Sequence, residues 1–333
     1  MIRTRLLCPA ALVLLATACA REGSGDTDTA AATAAGAATT AAGGDSADAG
    51  GGAGAATRIG TLEGFKGPES VRYDPAQDVY FVSNVNGSPG AKDGNGFISR
   101  VKGDGSAVDS LMFIAGGRGG VTLNAPKGIA LVGDTLVVAD IDAVRMFNAR
   151  TGAPVGSVSL AGLKAVFLND VVVGGDGAIY VTDSGIRFSS KGEMSHPGPD
   201  RVFKITGRTG SVAITDSALA GPNGIAWDQA NNRYIIGSAA GTSLLAWTPG
   251  SAPTKLADGP GGYDGVEVLP DGRVLTTSWT DSSVYAVRGS TMTKLVSGVN
   301  SPADIGVNPS KGVLVVPMLA ENRVEFWNIG GRR

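Results

Sequence analysis

The feature that most constrains the fold is a short unit that recurs six times along the chain. Each copy has a leading Pro or its equivalent, a polar or small residue and a short apolar strand, followed by a turn and a second apolar strand. In the fourth copy, Pro222-Asn223-Gly224 opens the unit and Tyr234–Gly237 is its second apolar run. The six copies begin at Pro68, Pro126, Leu168, Pro222, Tyr263 and Pro302. Recurrence at a period of about 40 to 60 residues is the signature of a radial repeat fold.

Each period divides further into four short strands separated by turn residues. Asp176-Gly177 and Asp271-Gly272 are hairpin signals, and 51 of the 333 residues are glycine. In the fifth copy the predicted strands are Gly265–Leu269, Arg273–Ser278, Ser283–Arg288 and Met292–Val296. Four-stranded antiparallel units repeated around an axis are propeller blades. The sequence therefore predicts an all-β fold, a six-bladed β-propeller over residues 58–330.

The two ends of the repeat region predict how the ring closes. The last copy supplies only three strands and finishes with Arg323–Ile329, while Arg58–Leu62 lies before the first inner strand and belongs to no blade. We expect this N-terminal strand to pair as the outermost strand of the last blade, which removes a free sheet edge.

Residues 1–18 have the pattern of a secretory signal. Arg3 and Arg5 form a basic segment, Ala10–Ala16 is apolar, and small residues precede Cys19. The cysteine at the cleavage point resembles a bacterial lipoprotein signal, in which Cys19 becomes the acylated N-terminus. Ordinary cleavage is the alternative. The chain is predicted to be exported and to contact the membrane only through this anchor, on the periplasmic or extracellular side.

Residues 19–57 are almost entirely Ala, Gly, Thr, Ser and Asp, which cannot bury enough apolar surface to order a chain. We predict a disordered tether. Cys8 leaves with the signal, so the mature chain has at most Cys19 and no disulfide. With 28 basic and 30 acidic residues, the charge indicates no nucleic-acid partner. A monomer is expected.

The strand order places the residue after each leading position at one mouth of the central channel. In an antiparallel meander, the links into the inner strands and the loops from second to third strands lie on the same face. Two of those loops are long, 84–96 and 184–200, and the second contains His196, the only histidine. Long loops over one face commonly carry function.

Four of the six residues at this mouth present side-chain oxygens. The ring consists of Glu69, Lys127, Asn169, Asn223, Asp264 and Ala303. Two carboxylates close together repel each other unless a hard divalent cation lies between them. All-oxygen donors favour Ca²⁺, then Mg²⁺ or Mn²⁺, with Zn²⁺ less natural. Taken singly, Asn223-Gly224 and Asp264-Gly265 also read as turn dipeptides, but four such residues at one phase of the repeat favour a metal site.

The blades and these residues resemble the gluconolactonase, regucalcin and senescence-marker-protein (SMP-30) superfamily of six-bladed propellers. Its members hydrolyse sugar lactones or, in relatives, aryl lactones and organophosphate esters at a divalent metal in the channel. The resemblance implies that Glu69, Asn169, Asn223 and Asp264 bind the metal, with Asn169 also able to contact substrate. It departs at Phe167, where sugar lactonases of this type usually have Arg, and this puts the sugar substrate in doubt.

The resemblance implies metal-assisted opening of a lactone or related ester, in which Asp264 or Glu69 activates water. Lys127 and His196 are further candidates for substrate contact, and a solvated loop histidine is the alternative for His196. Asp140, Asp183 and Trp279 end second strands and are candidates for supporting contacts or for purely structural roles. The other functional hypothesis is a non-catalytic exported propeller that binds a ligand and holds a structural metal.

Overall fold

The structure is a computed structural model that describes residues 56–189 and 191–330. Strand β1 spans Thr57–Glu63 and so includes Arg58, the predicted first residue of the propeller. The predicted signal peptide, Cys19 and nearly all of the predicted tether lie outside the described residues. Within them, the prediction of six four-stranded antiparallel blades is confirmed.

The first two blades are regular meanders whose inner strands begin at the predicted prolines. Blade 1 is formed by β2 (Pro68–Asp74), β3 (Val79–Asn84), β4 (Phe97–Lys102) and β5 (Val108–Ala115). Blade 2 is formed by β6 (Pro126–Val132), β7 (Thr135–Asp140), β8 (Ala143–Asn148) and β9 (Pro154–Ser159).

Blade 3 has an extra hairpin inserted between its second and third strands. The blade is formed by β10 (Leu168–Val173), β11 (Ile179–Asp183), β14 (Arg201–Thr206) and β15 (Thr209–Thr215). The hairpin pairs β12 (Arg187–Phe188) with β13 (Met194–Ser195), inside what the sequence predicted only as a long loop. Blade 4 is formed by β16 (Pro222–Asp228), β17 (Arg233–Ser238), β18 (Ser243–Trp247) and β19 (Thr254–Asp258).

The last blade joins the two ends of the domain, as predicted. Blade 5 is formed by β20 (Tyr263–Val268), β21 (Val274–Ser278), β22 (Ser283–Arg288) and β23 (Thr291–Ser297). Blade 6 is formed by β24 (Gly306–Asn308), β25 (Val313–Met318), β26 (Arg323–Asn328) and β1. Strand β1 pairs antiparallel with β26 from Thr57 opposite Asn328 to Glu63 opposite Arg323.

The hydrophobic core lies between neighbouring blades. Phe81 and Ile98 of blade 1, for example, pack with Ile129 and Leu136 of blade 2, and all four side chains are fully buried. Burial on both faces explains the continuous apolar runs of the second strands. The ring thereby holds the six inner strands around one axis.

Helical structure among the described residues is limited to four short 3₁₀ turns. These are Ala161–Leu163, Ser217–Leu219, Gln229–Asn231 and Leu319–Glu321. Across 56–189 and 191–330, no helix has the length and apolar character needed to cross a bilayer.

Candidate metal centre

A backbone irregularity marks the ring position in five of the six blades. In blade 1, Pro68 pairs with Asn84 and the next pair is Val71 with Val82, which leaves Glu69 and Ser70 outside the ladder. The same break occurs at Pro126–Ile129, Leu168–Val171, Pro222–Ile225 and Tyr263–Val266. Such bulges re-aim side chains beside functional sites. The apolar periodicity gave no sign of them.

Hydroxyl groups of the second strands hold these bulges in place. In blade 3, Thr182 Oγ1 accepts the backbone N–H of Asp170 at 2.9 Å and donates to the carbonyl of Asn223 in blade 4 at 2.6 Å. Thr277 makes the equivalent link between blades 5 and 6, because its Oγ1 accepts the backbone N–H of Gly265 and donates to the carbonyl of Ala303. The bulges of neighbouring blades are therefore linked by threonine hydroxyl groups, each of which bonds to backbone atoms of both blades.

Glycine follows the ring residue in three blades because the inner strands approach closely there. A Cβ on Gly224 would lie 2.1 Å from the carbonyl oxygen of Asp264, and one on Gly265 would lie 2.5 Å from the nitrogen of Ile305. The glycines that read as turn residues in the sequence are thus needed for packing around the axis.

Three of the four predicted metal ligands carry an oxygen that has no hydrogen-bond partner. Glu69, Asn169 and Asp264 are each less than one-tenth exposed, and Asn223 is partly buried. The unpartnered buried atoms are Glu69 Oε2, Asn223 Oδ1 and Asp264 Oδ1. Buried polar atoms without partners are rare in folded proteins because their desolvation is uncompensated. A cation at this position would satisfy all three.

Burial and neighbouring negative charge raise the pKa of both carboxyl groups. Burial, followed by repulsion from Asp264, raises the pKa of Glu69 well above its ordinary value. Burial, followed by the charge of Asp304, raises the pKa of Asp264 to about 8, although the hydrogen bond from Trp279 opposes the rise. Without a cation, this site favours protonated carboxyl groups.

The donor set fits a hard divalent cation. Two carboxylates and two amide carbonyls supply only oxygen, the preference of Ca²⁺ and Mg²⁺. Among residues 56–189 and 191–330, no group of three or more His, Cys, Asp or Glu side chains is arranged to hold a metal. The ring contains only two carboxylates, Glu69 and Asp264, and the amide oxygens of Asn169 and Asn223 would have to complete the donor set.

A second layer of charged groups lies beneath the ring, and sequence reasoning missed it. Asp170 and Asp304 each follow a ring residue and are buried, and Ser70 Oγ donates to Asp304 Oδ2 at 2.6 Å. Burial raises the pKa of Asp170 to about 7 and that of Asp304 well above its ordinary value. The signal was available, because the position after the ring is Ser70, Gly128, Asp170, Gly224, Gly265 and Asp304.

An ion pair crosses the channel farther down. Arg72 on β2 pairs with Glu267 on β20, and its Nε donates to the carbonyl of Ile129 at 2.8 Å. The charge of Arg72 also lowers the pKa values of Asp170 and Asp304, which burial raises. The negative charge of Asp170 and Asp304 beneath the ring is therefore only partly neutralised by Arg72.

The three candidates at second-strand ends have different roles. Asp140 accepts from the backbone of Asn124 and Ala125, and Asp183 accepts from Val166 and Phe167, so both brace the link into an inner strand. Trp279 alone contacts a ring residue, through the hydrogen bond from Nε1 to Asp264 Oδ2 at 2.9 Å.

Lys127 lies in the ring but is sealed from solvent. It is 1% exposed, its Nζ donates to the carbonyls of Pro89 at 3.1 Å and Ala125 at 3.2 Å, and it lies 4.1 Å from the ring centroid of Phe167. Burial lowers its pKa to about 8, against the attraction of Glu69. In this arrangement, Lys127 supports the 84–96 loop and supplies positive charge beside Glu69.

His196 lies in the long loop of blade 3 and is half exposed. Its Nε2 is 2.7 Å from Oδ1 of Asp200 in the same loop. Its side chain is thereby tied to the base of its own loop, whereas Glu69, Lys127, Asn223 and Asp264 interact with one another. Asn169, the remaining predicted metal ligand of the ring, donates from Nδ2 to Ser184 Oγ at 3.4 Å.

Comparison with protein families gives a match over most of the propeller. The profile of the SMP-30/Gluconolactonase/LRE-like region matches residues 68–308. A search among curated protein sequences finds no significant match to the chain.

Solved structures with the same fold cover the propeller. A gluconolactonase from Xanthomonas campestris has a TM-score of 0.60 at 18% identity, covering 81% of this chain and 91% of that one. Regucalcin from Agrobacterium tumefaciens, described as a calcium-binding protein, has a TM-score of 0.60 at 14% identity, with coverage of 81% and 93%. A luciferin-regenerating enzyme has a TM-score of 0.62 at 11% identity, with coverage of 82% and 94%.

Proposed function

Because the chain belongs to the SMP-30/gluconolactonase/LRE-like family, we propose that it is a metal-dependent hydrolase that opens a lactone or related ester at the channel mouth. The observation that carries the proposal is the set of buried, unpartnered oxygens on Glu69, Asn223 and Asp264. They lie at the position where the family resemblance implies a metal. The gluconolactonase and regucalcin neighbours agree in fold.

The residues that would hold the cation are Glu69, Asn169, Asn223 and Asp264, with Ca²⁺ the first choice for this donor set. Bound there, a divalent cation supplies Lewis acidity toward a carbonyl oxygen. The chain itself orients the carboxylate of Asp264. Trp279 donates a hydrogen bond to Oδ2, and Oδ1 is the oxygen without a protein partner. Buried Lys127 limits the negative charge of the ring from the side of blade 2.

The hydrolytic step needs a base at the same mouth. A carboxylate of Glu69 or Asp264 takes a proton from water as the water oxygen bonds to the carbonyl carbon. The bond from that carbon to the ring oxygen then breaks, and the proton passes to the leaving oxygen. Glu69 and Asp264 are the two carboxyl groups of the ring, so each is a candidate for this proton transfer.

The test is metal content and turnover of the purified propeller, compared with Asp264→Ala. We expect about one equivalent of divalent metal, lost in the variant together with hydrolysis of a panel of lactones and aryl esters. Asp258→Ala is a matched control, because Asp258 is an exposed acid on the outer strand of blade 4. It should keep both metal and turnover.

The two alternatives give different outcomes. Metal that raises the melting temperature without turnover of any lactone or ester would favour the non-catalytic binding propeller. Absence of metal binding in the wild type would contradict the assignment of all four ligands. Export and lipidation of Cys19 remain part of the proposal, and Cys19→Ser tests them by membrane fractionation.

A further inference from the structure

Lys127 is the cationic member of the ring, and the partners of its ammonium group are electrically neutral. Its Nζ donates to the backbone carbonyls of Pro89 at 3.1 Å and Ala125 at 3.2 Å. Within residues 56–189 and 191–330, no carboxylate forms an ion pair with this amine. Carbonyl groups satisfy the donors of an ammonium group but leave its charge in place. The charge of Lys127 therefore acts on the rest of the ring.

An aromatic face takes the place that a carboxylate would have beside this amine. The Nζ of Lys127 lies 4.1 Å from the ring centroid of Phe167, and the ring of Phe167 packs in turn against Phe188 at 5.7 Å. Attraction of a cation to an aromatic face is strongest where water is excluded. This contact fixes the position of the ammonium group without cancelling its charge.

The charge is also prevented from moving away from the ring. The side chain of Lys127 is 1% exposed. Pro89 belongs to the 84–96 loop, and this loop is attached to blade 2 where Gly94 N–H donates to Asn124 Oδ1 at 3.2 Å. A surface lysine would turn its flexible side chain away from an arriving cation. Lys127 is enclosed and lacks that freedom.

Glu69 is the predicted metal ligand on which this charge acts. Glu69 and Lys127 occupy the ring position of neighbouring inner strands, β2 and β6. Burial is the largest influence on the pKa of each side chain, and the attraction between the two opposes the effect of burial in both. Charges act on each other strongly where little water screens them. A cation bound by Glu69 would therefore be repelled by the ammonium group of Lys127.

We propose that Lys127 is an internal counter-charge that opposes metal binding, and that it holds the affinity of the ring for a divalent cation below what the oxygen ligands alone would give. This inference rests on the proposed function, because it concerns the cation bound at the same ring. In metal-free protein, Lys127 partly compensates the negative charge of Glu69. In metal-loaded protein, the ammonium group and the cation are like charges beside the same carboxylate, so the ion is held less tightly.

Calcium titration of the metal-free full chain at pH 7 compares the wild type with Lys127→Met and Lys127→Gln. Methionine keeps the length and apolar stem of the side chain, glutamine keeps a hydrogen-bond donor, and neither carries charge. Removal of a like charge from a poorly screened site should tighten calcium binding by about tenfold or more in both variants. Equal or weaker binding by both would overturn the inference.

Lys255→Met is the matched control, because it removes the same charge from a screened position. Lys255 lies on the outer strand β19 of blade 4, and its side chain is 60% exposed. Its affinity for calcium should stay within about twofold of the wild type, since solvent and salt screen an exposed charge. A gain in Lys255→Met as large as that in Lys127→Met would overturn the assignment to Lys127.

Terbium(III) separates the effect of charge from an effect of shape. It is close to Ca²⁺ in size and also binds oxygen ligands, but it carries three positive charges. Because repulsion is proportional to the charge of the ion, the gain in log affinity from Lys127→Met should be about 1.5 times larger for Tb³⁺ than for Ca²⁺. A variant that only reshaped the ring would change both affinities by the same factor, and equal gains would overturn the inference. Trp279, whose Nε1 donates to Asp264 Oδ2, is placed to sensitise terbium emission.

These titrations need no turnover, so they separate this inference from the proposed function. If the wild type and both neutral variants bind neither ion, the metal centre is wrong and both proposals fail. If the wild type binds calcium and loss of the Lys127 charge brings no gain, only the role of Lys127 fails. Tighter binding by the neutral variants without hydrolysis of any lactone or ester would support the counter-charge and contradict the hydrolase.

Discussion

The indole N–H of Trp279 donates to Oδ2 of Asp264 at 2.9 Å, while Oδ1 of the same carboxylate is buried without a partner. Trp279 follows the second strand of blade 5, and Asp264 lies in the bulge of the neighbouring inner strand. One oxygen is therefore fixed and the other is left available. Hydrogen bonds to a metal-binding carboxylate orient it for the ion in this way.

Trp279→Phe should weaken metal binding about tenfold, because the carboxylate of Asp264 loses the hydrogen bond that orients it. The measurement is a calcium titration of metal-free protein followed by calorimetry. Trp227→Phe is the control, since Trp227 lies toward the other end of its inner strand from the ring residue Asn223. Equal affinity in wild type and Trp279→Phe would show that the bond does not position Asp264.

Metal-free protein should lose stability as the pH rises from about 5 to about 8. Burial and repulsion from Asp264 keep the pKa of Glu69 well above its usual value, and burial with the charge of Asp304 raises the pKa of Asp264 to about 8. In the unfolded chain the carboxyl groups of Glu69 and Asp264 ionise at about pH 4. Between these limits the folded state binds more protons, so its stability is greatest at the acid end and falls with rising pH.

Melting temperatures across that pH range, with and without calcium, test this expectation. Asp264→Asn has one fewer titrating carboxyl group and should show a shallower fall without metal. Calcium should stabilise the wild type most near pH 8, because the metal binds deprotonated carboxylates. A metal-free wild type that gains stability between pH 5 and pH 8 would contradict the raised pKa values.

Arg72→Met should lower the free energy of unfolding by about 3 kcal/mol, because it leaves Glu267 in the channel without its partner. The side chains are 24% and 16% exposed, so the cost is expected at the lower end for a buried pair. The double variant Arg72→Met with Glu267→Leu should recover most of the loss. Urea unfolding of the four proteins measures the coupling, and a double variant as unstable as Arg72→Met would argue against the pair.

Removal of β1 should destabilise the whole ring. A chain that begins at Gly64 loses the strand paired with β26 and the ion pair of Arg58 with Glu325, and exposes an edge. Compared with a chain that begins at Ala56, we expect its melting temperature to fall by roughly 10 °C or more. Similar melting temperatures for the two chains would show that blade 6 is stable with three strands.

Most of the fold could be predicted from the sequence because each blade is a local meander. Turn signals such as Asp271-Gly272 and the apolar second strands lie within one period. Strand β1 could be assigned to the last blade because the last repeat has only three strands and Arg58–Leu62 belongs to no other blade. The hairpin of β12 and β13 was missed, since two-residue strands carry no periodic pattern. The bulges at the ring were missed because a break in pairing depends on the partner strand.

The candidate site was predictable in its membership and not in its contacts. Glu69, Asn223 and Asp264 occupy one phase of the repeat, and their grouping follows from that phase. Asp140 and Trp279 looked equivalent in the sequence, yet one braces a backbone link and the other orients a ring carboxylate. The sequence predicts Lys127 as a substrate contact. In the structure its Nζ donates to two backbone carbonyls and lies over an aromatic ring, contacts that depend on the neighbouring blades.

The sequence by itself determined the number of blades, the closing strand and the set of oxygen-bearing residues around the axis, because these depend on order along the chain. Tertiary structure alone decided which oxygens are left without partners and how charge is distributed down the channel. Those properties arise from contacts such as Ser70 with Asp304, 234 residues apart, and Arg72 with Glu267, 195 apart. Such pairs meet only when the ring closes, since closure brings the inner strands of all six blades to one axis.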